Sequence, residues 1–404
     1  LSMYGLVLEG GGAKGSYQIG AFRAFKELQV EIKGVAGTSI GALNGAMFVQ
    51  GDIEKAYQLW YDITPASIFN VDQKYLEIMD NFEFNQESIK ALFQRARNIL
   101  KHRGIDISQI KDLLYDNIDE KTLRNSGMDF GLVTISLSDF KPLELYLEDI
   151  VEGKLVSYLL ASAYYPVFKL EKVDGKYLID GGFYNNLPIN LLASRGYQDI
   201  IVIRTFEMGK RRVGNYNSLN ITYVAPEEDL GGFLDFNQEK IRYNLKLGYY
   251  DTLRVFKNLM GHKYYLESTE DENYYFDYLL NTGKDKIIAI GEYLGLEDLP
   301  YRRMLFEHIV PRLISLLDLE EDCSYQELVI AIIEAAAGLK SFERFKIYQL
   351  DELQKEIEEK YQGISWTDIT NRSPEIPLLL RQYKLLSRTV KAEMLEDIVD
   401  ILFN

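Results

Sequence analysis

Cysteine is almost missing from this chain. Cys323 is the single cysteine in 404 residues, which excludes a disulfide scaffold and a four-thiolate zinc site within one chain. Histidine is nearly as scarce: only His102, His262 and His308 occur. Each lies in a stretch that reads as helix or helix end, and none flanks a Gly-rich turn, so all three read as surface or structural residues. No uninterrupted apolar run approaches the length that spans a bilayer. No basic segment followed by a long apolar core opens the sequence, since Leu1-Ser2-Met3-Tyr4-Gly5 leads straight into a short apolar strand. A soluble protein of a reducing, cytoplasmic compartment is expected, with at most peripheral contact to a membrane. Positive charge is also in deficit. Lys and Arg number 45 against 61 Asp and Glu, a net charge of −16. That argues against a nucleic-acid partner and against simple electrostatic docking onto anionic lipid. A local exception is Lys210-Arg211-Arg212, followed by Tyr216, in a loop suited to touching anionic head groups.

What the chain does have is an ordinary globular composition, 47% hydrophobic and 26% charged. Its length predicts one large domain and a smaller one. Residues 4–8 read as a buried strand, 16–28 as an amphipathic helix, 32–36 as a second strand and 40–50 as a helix of small residues. Strand, turn and helix repeated twice predict an α/β fold: a parallel-rich sheet with helices on both faces. Residues 52–125 read mainly as helices, one of them capped at Asn85 or Ser88 and running to about His102. Strand character returns at 128–137, 142–147, 167–173, 177–179, 199–205 and 219–224, with a helix near 186–195 and a long one over 237–258. After about residue 260 helical patterns dominate, at 301–318, 325–338, 349–362 and 377–403. The expected division is 1–260 for the α/β domain and 261–404 for a mainly helical C-terminal domain. The tyrosines at 264, 265, 274, 275 and 278 read as packing residues, with an interfacial lipid contact as the other reading.

Three motifs carry chemistry. Gly10-Gly11-Gly12-Ala13-Lys14-Gly15 lies between a strand and a helix. Glycines turn sharply and present bare N–H groups, and the helix behind adds its positive dipole end, so the segment suits a negative oxygen. Gly10, Gly12 and Gly15 also satisfy the dinucleotide fingerprint, which would make the protein a nucleotide-dependent oxidoreductase. That reading needs an acidic residue ending the second strand, and Gly37-Thr38-Ser39 stands there instead. A phosphate-binding Walker loop fails too, because Ser16-Tyr17 follows Gly15. The second motif is Gly37-Thr38-Ser39-Ile40-Gly41, the strand–turn–helix pattern of a nucleophile elbow. The third is Asp180-Gly181-Gly182, after the apolar strand Tyr177-Leu178-Ile179. Alone it is ordinary turn chemistry. A serine needs a proton acceptor, however, and no histidine stands in a suitable loop. Asp180 is the better candidate, provided it is buried and bonded directly to Ser39.

These three motifs in this order resemble the patatin-like phospholipase family. Residues 161–168 (Ala-Ser-Ala-Tyr-Tyr-Pro-Val-Phe) and Asn186-Leu187-Pro188 fit the same pattern, so the resemblance covers roughly 4–258. It implies Ser39 as nucleophile and Asp180 as proton acceptor. It implies an oxyanion hole from Gly11 and Gly12, with Gly10 and Gly15 shaping it. Lys14, Gly37, Gly41, Gly181 and Gly182 act as motif support, Lys14 standing where many members carry Arg. The implied activity is ester hydrolysis on a lipid, phospholipid, lysophospholipid or acylglycerol, with no cofactor and no metal. The competing reading is a scaffold or regulator that keeps the fold and binds a protein partner through its helical domain.

Overall fold

A computed structural model describes residues 3–69, 105–166, 168–206, 209, 214, 216–296, 299–362 and 387–404. The expected helix ending at His102 and the basic residues 210–212 lie outside the described residues. By their contacts the residues fall into two units, Leu1–Phe256 and Lys257–Asn404.

The first unit is built on an eight-stranded sheet, β1 (Tyr4–Leu8), β2 (Ile32–Thr38), β3 (Asp129–Ser136), β4 (Lys141–Tyr146), β5 (Lys172–Val173), β6 (Lys176–Asp180), β7 (Asp199–Ile203) and β8 (Asn220–Val224). The order is β5-β6-β3-β2-β1-β7-β8, with β4 also paired to β3. The pairs from β3 through β8 along this path are parallel, and the contacts of β3 with β4 and β6 are antiparallel. Helices α1 (Gly15–Glu27) and α2 (Ile40–Val49) follow β1 and β2. Next come α3 (Ile53–Asp62), α4 (Ser108–Asn117), α5 (Leu155–Ser162), α6 (Ile189–Ala193) and α7 (Gln238–Lys257).

Side-chain alternation explains why both sheet faces are covered. Leu6, Val7 and Leu8 are all fully buried, which a half-solvated strand would not permit. Val7, Ala36 and Val133 face Leu191 and Leu192 of α6. Their neighbours Leu8 and Val35 face α2, close to Gly45. Burying each such aliphatic side chain contributes about 1.5–3 kcal/mol.

Two predicted elements are shorter than expected. Among the described residues of 167–173 only Lys172–Val173 forms a strand, and Phe168 makes a single bridge to Ile105. The helix near 186–195 begins at Ile189, because Pro188 caps it and Asn186–Pro188 separates it from the turn Gly182–Asn185.

The second unit packs its helices, among them Glu272–Leu280, Lys284–Leu294, Tyr325–Leu339, Leu350–Tyr361 and Arg388–Phe403, around one apolar core. Within this mainly helical unit lies a two-stranded parallel pair, β9 (Tyr265–Glu267) with β10 (Ile347–Gln349). Buried Glu334 accepts the N–H groups of His262, Lys263 and Tyr264, which fixes the approach to β9. That places His262 in a turn rather than a helix. Tyr264, Tyr265 and Tyr275 are core residues, so packing accounts for them. Among the described residues no helix is long and apolar enough to cross a membrane.

Helices α1 and α7 cross at backbone contact. A Cβ on Gly248 would fall 1.9 Å from the Tyr17 carbonyl oxygen, and the Tyr17 hydroxyl donates to Asp251 at 2.9 Å on the far side. Gly248→Ala is therefore expected to cost about 3 kcal/mol through forced separation of the helices, read as a lowered denaturant midpoint. An unchanged midpoint would show that this crossing yields without cost.

Candidate functional site

β3 brings the site together. Its first half pairs with β2, ending at Thr38 opposite Val133. Its second half pairs with β6, beginning with Asp180 opposite Thr134. Two strands far apart in sequence thus meet end to end on adjacent residues of one rail. Ser39 is the next residue after Thr38, and its hydroxyl donates to Asp180 Oδ2 at 2.6 Å. Ser39 is 4% exposed and Asp180 3%, so the pair is shielded from water.

The turn at Ser39 is strained. Its φ is 55° and ψ −129°, a region that costs a non-glycine residue on the order of 1–3 kcal/mol. Ser39 stands at the N-terminus of α2 but does not use its hydroxyl as a helix cap, which leaves that hydroxyl for Asp180. The flanking glycines are required by contact: a Cβ on Gly37 would lie 2.3 Å from the Gly41 carbonyl, and one on Gly41 would lie 2.4 Å from that of Leu8. Ser162 locks the turn. Its hydroxyl accepts from Ser39 N–H at 2.9 Å and donates to the Val133 carbonyl at 2.7 Å.

Asp180 is held as firmly. Its N–H donates to the Tyr164 carbonyl, and its Oδ1 accepts from Gly182 N–H at 2.7 Å. Gly181 packs against Val133. Burial raises the pKa of the Tyr164 phenol above its ordinary value, so that phenol stays neutral.

The glycine loop approaches the same place. Gly12, at φ +55°, packs against Phe233 and lines the cavity that Ser39 also lines. Gly10 N–H is donated to the Asn186 carbonyl, and Gly15 N–H closes the turn onto Ala13 and Gly12. Gly10 and Gly15 therefore shape the loop. Among the described residues the N–H groups of Gly11 and Gly12 meet no acceptor. Lys14 ends the 3-10 turn Gly12–Lys14, its N–H donating to Gly11.

Sequence reasoning missed the clamp behind this loop. Fully buried Glu9 accepts from Arg204 Nε and Thr205 N–H, each at 2.8 Å, while the Thr205 hydroxyl donates to the Gly10 carbonyl at 2.6 Å. Opposite charges ending two strands signal such a pair only once β1 and β7 are known to be neighbours. Ser162 was visible only as part of a motif.

The cavity beside Ser39 encloses about 1010 Å³, counting space open to solvent. Its wall is almost entirely apolar, from Ile40, Leu43 and Met47 of α2 to Trp60 and Phe236. His262 and His308 are exposed residues of the second unit, and His102 is outside the described residues. Among the described residues no group of three or more His, Cys, Asp or Glu is placed to hold a metal ion.

The family model for patatin-like phospholipase matches residues 6–193. Those residues form a patatin-like phospholipase domain. The chain is 26% identical over 221 residues to patatin-like phospholipase domain-containing protein 7 of Rattus norvegicus, which covers 52% of this chain and 14% of that protein. It is 28% identical over 231 residues to neuropathy target esterase sws of Drosophila melanogaster, covering 52% and 13%. The chain thus spans about a seventh of the length of these relatives. Among solved structures, VipD from Legionella pneumophila is 15% identical with a TM-score of 0.41, covering 98% of this chain and 90% of that one.

Ser162 generates a stability prediction. Ser162→Ala leaves the Ser39 N–H and the Val133 carbonyl buried without their bridge, at a cost of about 1–3 kcal/mol. Chemical denaturation of the variant measures it, and an unshifted curve would mean that the strained turn is held by other contacts.

Proposed function

We propose that this protein is a serine acyl hydrolase that cleaves ester bonds of lipids through Ser39 and Asp180, without metal or cofactor. The catalytic domain is residues 1–260, and 261–404 is a helical domain whose protein partner is open. The observation that carries the reading is the 2.6 Å hydrogen bond from the Ser39 hydroxyl to a buried carboxylate, beside an apolar cavity that Ser39 lines.

The chemistry runs in two halves. Ser39 Oγ attacks the ester carbonyl carbon while its proton passes to Asp180. The tetrahedral oxyanion is held by the N–H groups of Gly11 and Gly12, with the N-terminus of α2 adding favourable potential. Collapse expels the alcohol, which takes the proton from Asp180 and leaves an acyl-enzyme. Water then attacks the acyl carbon, with Asp180 again accepting the proton; collapse breaks the bond to Ser39 Oγ, which takes that proton back, and the fatty acid leaves. Asp180 is a weak base in water. Exclusion of solvent and direct contact strengthen its pull on the hydroxyl. A phospholipid, lysophospholipid or acylglycerol at a membrane surface fits the combination of apolar cavity and ester chemistry.

A fluorophosphonate probe is expected to label Ser39, with the adduct mapped by mass spectrometry. Ser39→Ala should abolish both labelling and hydrolysis of a short-chain ester while the fold is kept. Wild-type turnover in that variant would remove the assignment.

The base is tested separately. Asp180→Asn should lower turnover on the order of a thousandfold or more, whereas replacing His102, His262 and His308 together should keep most of it. Collapse of activity in a correctly folded triple variant would indicate a histidine base instead.

A further inference from the structure

The cavity beside Ser39 runs along α2, with both Ser39 and Met47 in its wall. Three helices turn apolar residues toward it: Ile40, Leu43 and Met47 of α2, Leu59 of α3 with Ile63 just past its end, and Ile110 and Leu113 of α4. The two asparagines in the wall are hydrogen-bonded within the protein. Asn44 is committed to the Gly15 carbonyl, to Gln18 and to the Trp60 indole N–H. The Asn117 amide donates to the Leu113 carbonyl at 2.7 Å.

Ser39 stands at one end of α2, and Met47 and Asn117 line the other end of the space. One turn beyond Met47, buried Gln50 donates to the Asn117 carbonyl at 2.8 Å and accepts from Asp119 N–H at 3.0 Å. This polar lock ties the C-terminal end of α2 to that of α4. An alkyl chain entering at Ser39 and following α2 therefore reaches Met47 just before this lock. From residue 39 to 47 the helix rises about 12 Å. A staggered hydrocarbon advances somewhat less than one C–C bond, about 1.5 Å, per carbon.

Resting on the esterase reading above, we propose that this cavity is a specificity sleeve for one medium-length acyl chain of roughly ten carbons, and that Met47 sets the length. The sleeve takes the acyl group that becomes attached to Ser39. The alcohol part of the lipid stays outside it, so selectivity for chain length is independent of the head group.

The test is a series of p-nitrophenyl esters, butyrate, octanoate, decanoate, myristate and palmitate, each below its micelle concentration. In the wild type kcat/KM is expected to rise to decanoate and to fall by about tenfold or more at palmitate, the scale of discrimination a hydrophobic pocket achieves for misfitting methylenes. Met47→Trp should move the optimum to butyrate or octanoate, lowering the decanoate-to-butyrate ratio by about tenfold. Met47→Ala should move it toward myristate. Leu113→Trp, on the facing helix, should shorten the preference in the same sense and serves if Met47→Trp does not fold. Thermal unfolding and fluorophosphonate labelling establish that each variant is folded. A flat profile from octanoate to palmitate, or folded variants with the wild-type optimum, would overturn the sleeve while leaving the esterase standing. No hydrolysis of any ester by the wild type, and no labelling, would remove the esterase and the sleeve together.

Discussion

The edge of β3 is where two strands that run in opposite directions share one partner. β2 arrives parallel and stops at Val133, and β6 arrives antiparallel and stops at Thr134. Neither strand can shift by one residue without turning its side chains to the other sheet face. The separation between Ser39 and Asp180 is therefore set by backbone pairing rather than by the flexibility of two side chains. Ser162 reinforces the junction by bonding both to Ser39 and to Val133. Thr134 does the same from the other side, its hydroxyl donating to the Ile179 carbonyl at 2.8 Å.

The strain stored at Ser39 is offset by this framework. A positive φ at a serine persists only where surrounding bonds over-determine the turn, and here the β2 pairing, the start of α2 and Ser162 all do so. The same arrangement keeps the hydroxyl off the helix cap and on the carboxylate. On the other side of Ser39 the Glu9, Arg204 and Thr205 clamp fixes the glycine loop. Breaking a buried charge pair of this kind is expensive, whereas the intact pair contributes little net stability. Its value lies in holding Gly10 by its carbonyl, next to the two glycines proposed to bind the oxyanion.

The cavity gives the acidic surface a context. A net charge of −16 does not draw a protein to anionic lipid, and an apolar space beside the proposed nucleophile offers burial of hydrocarbon instead, a force that salt does not screen. Recognition by burial selects for length and shape, because a methylene left outside gains nothing and one forced in disturbs close packing.

Local order along the chain was legible wherever it depends on neighbours in sequence. Apolar runs marked β1, β2, β3 and β7, the spacing of Ile19, Phe22 and Phe25 marked α1, and Gly-Thr-Ser-Ile-Gly marked the turn into α2. Elements held by distant partners were not legible in this way. The pair β9 and β10 was missed because two three-residue strands paired at a separation of 82 positions have no local pattern to show. The segment 167–173 was overread because Phe168 serves the cavity wall and only Lys172–Val173 joins a ladder. At the site, residue types and order alone singled out Ser39, Asp180 and the glycine loop, since only glycine tolerates the backbone approaches that such turns demand. The clamp at Glu9, the lock at Gln50 and the meeting of β2 with β6 were decided by tertiary structure alone. Each is a contact between residues tens to hundreds of positions apart, and it exists only once the sheet order has placed their strands and helices side by side.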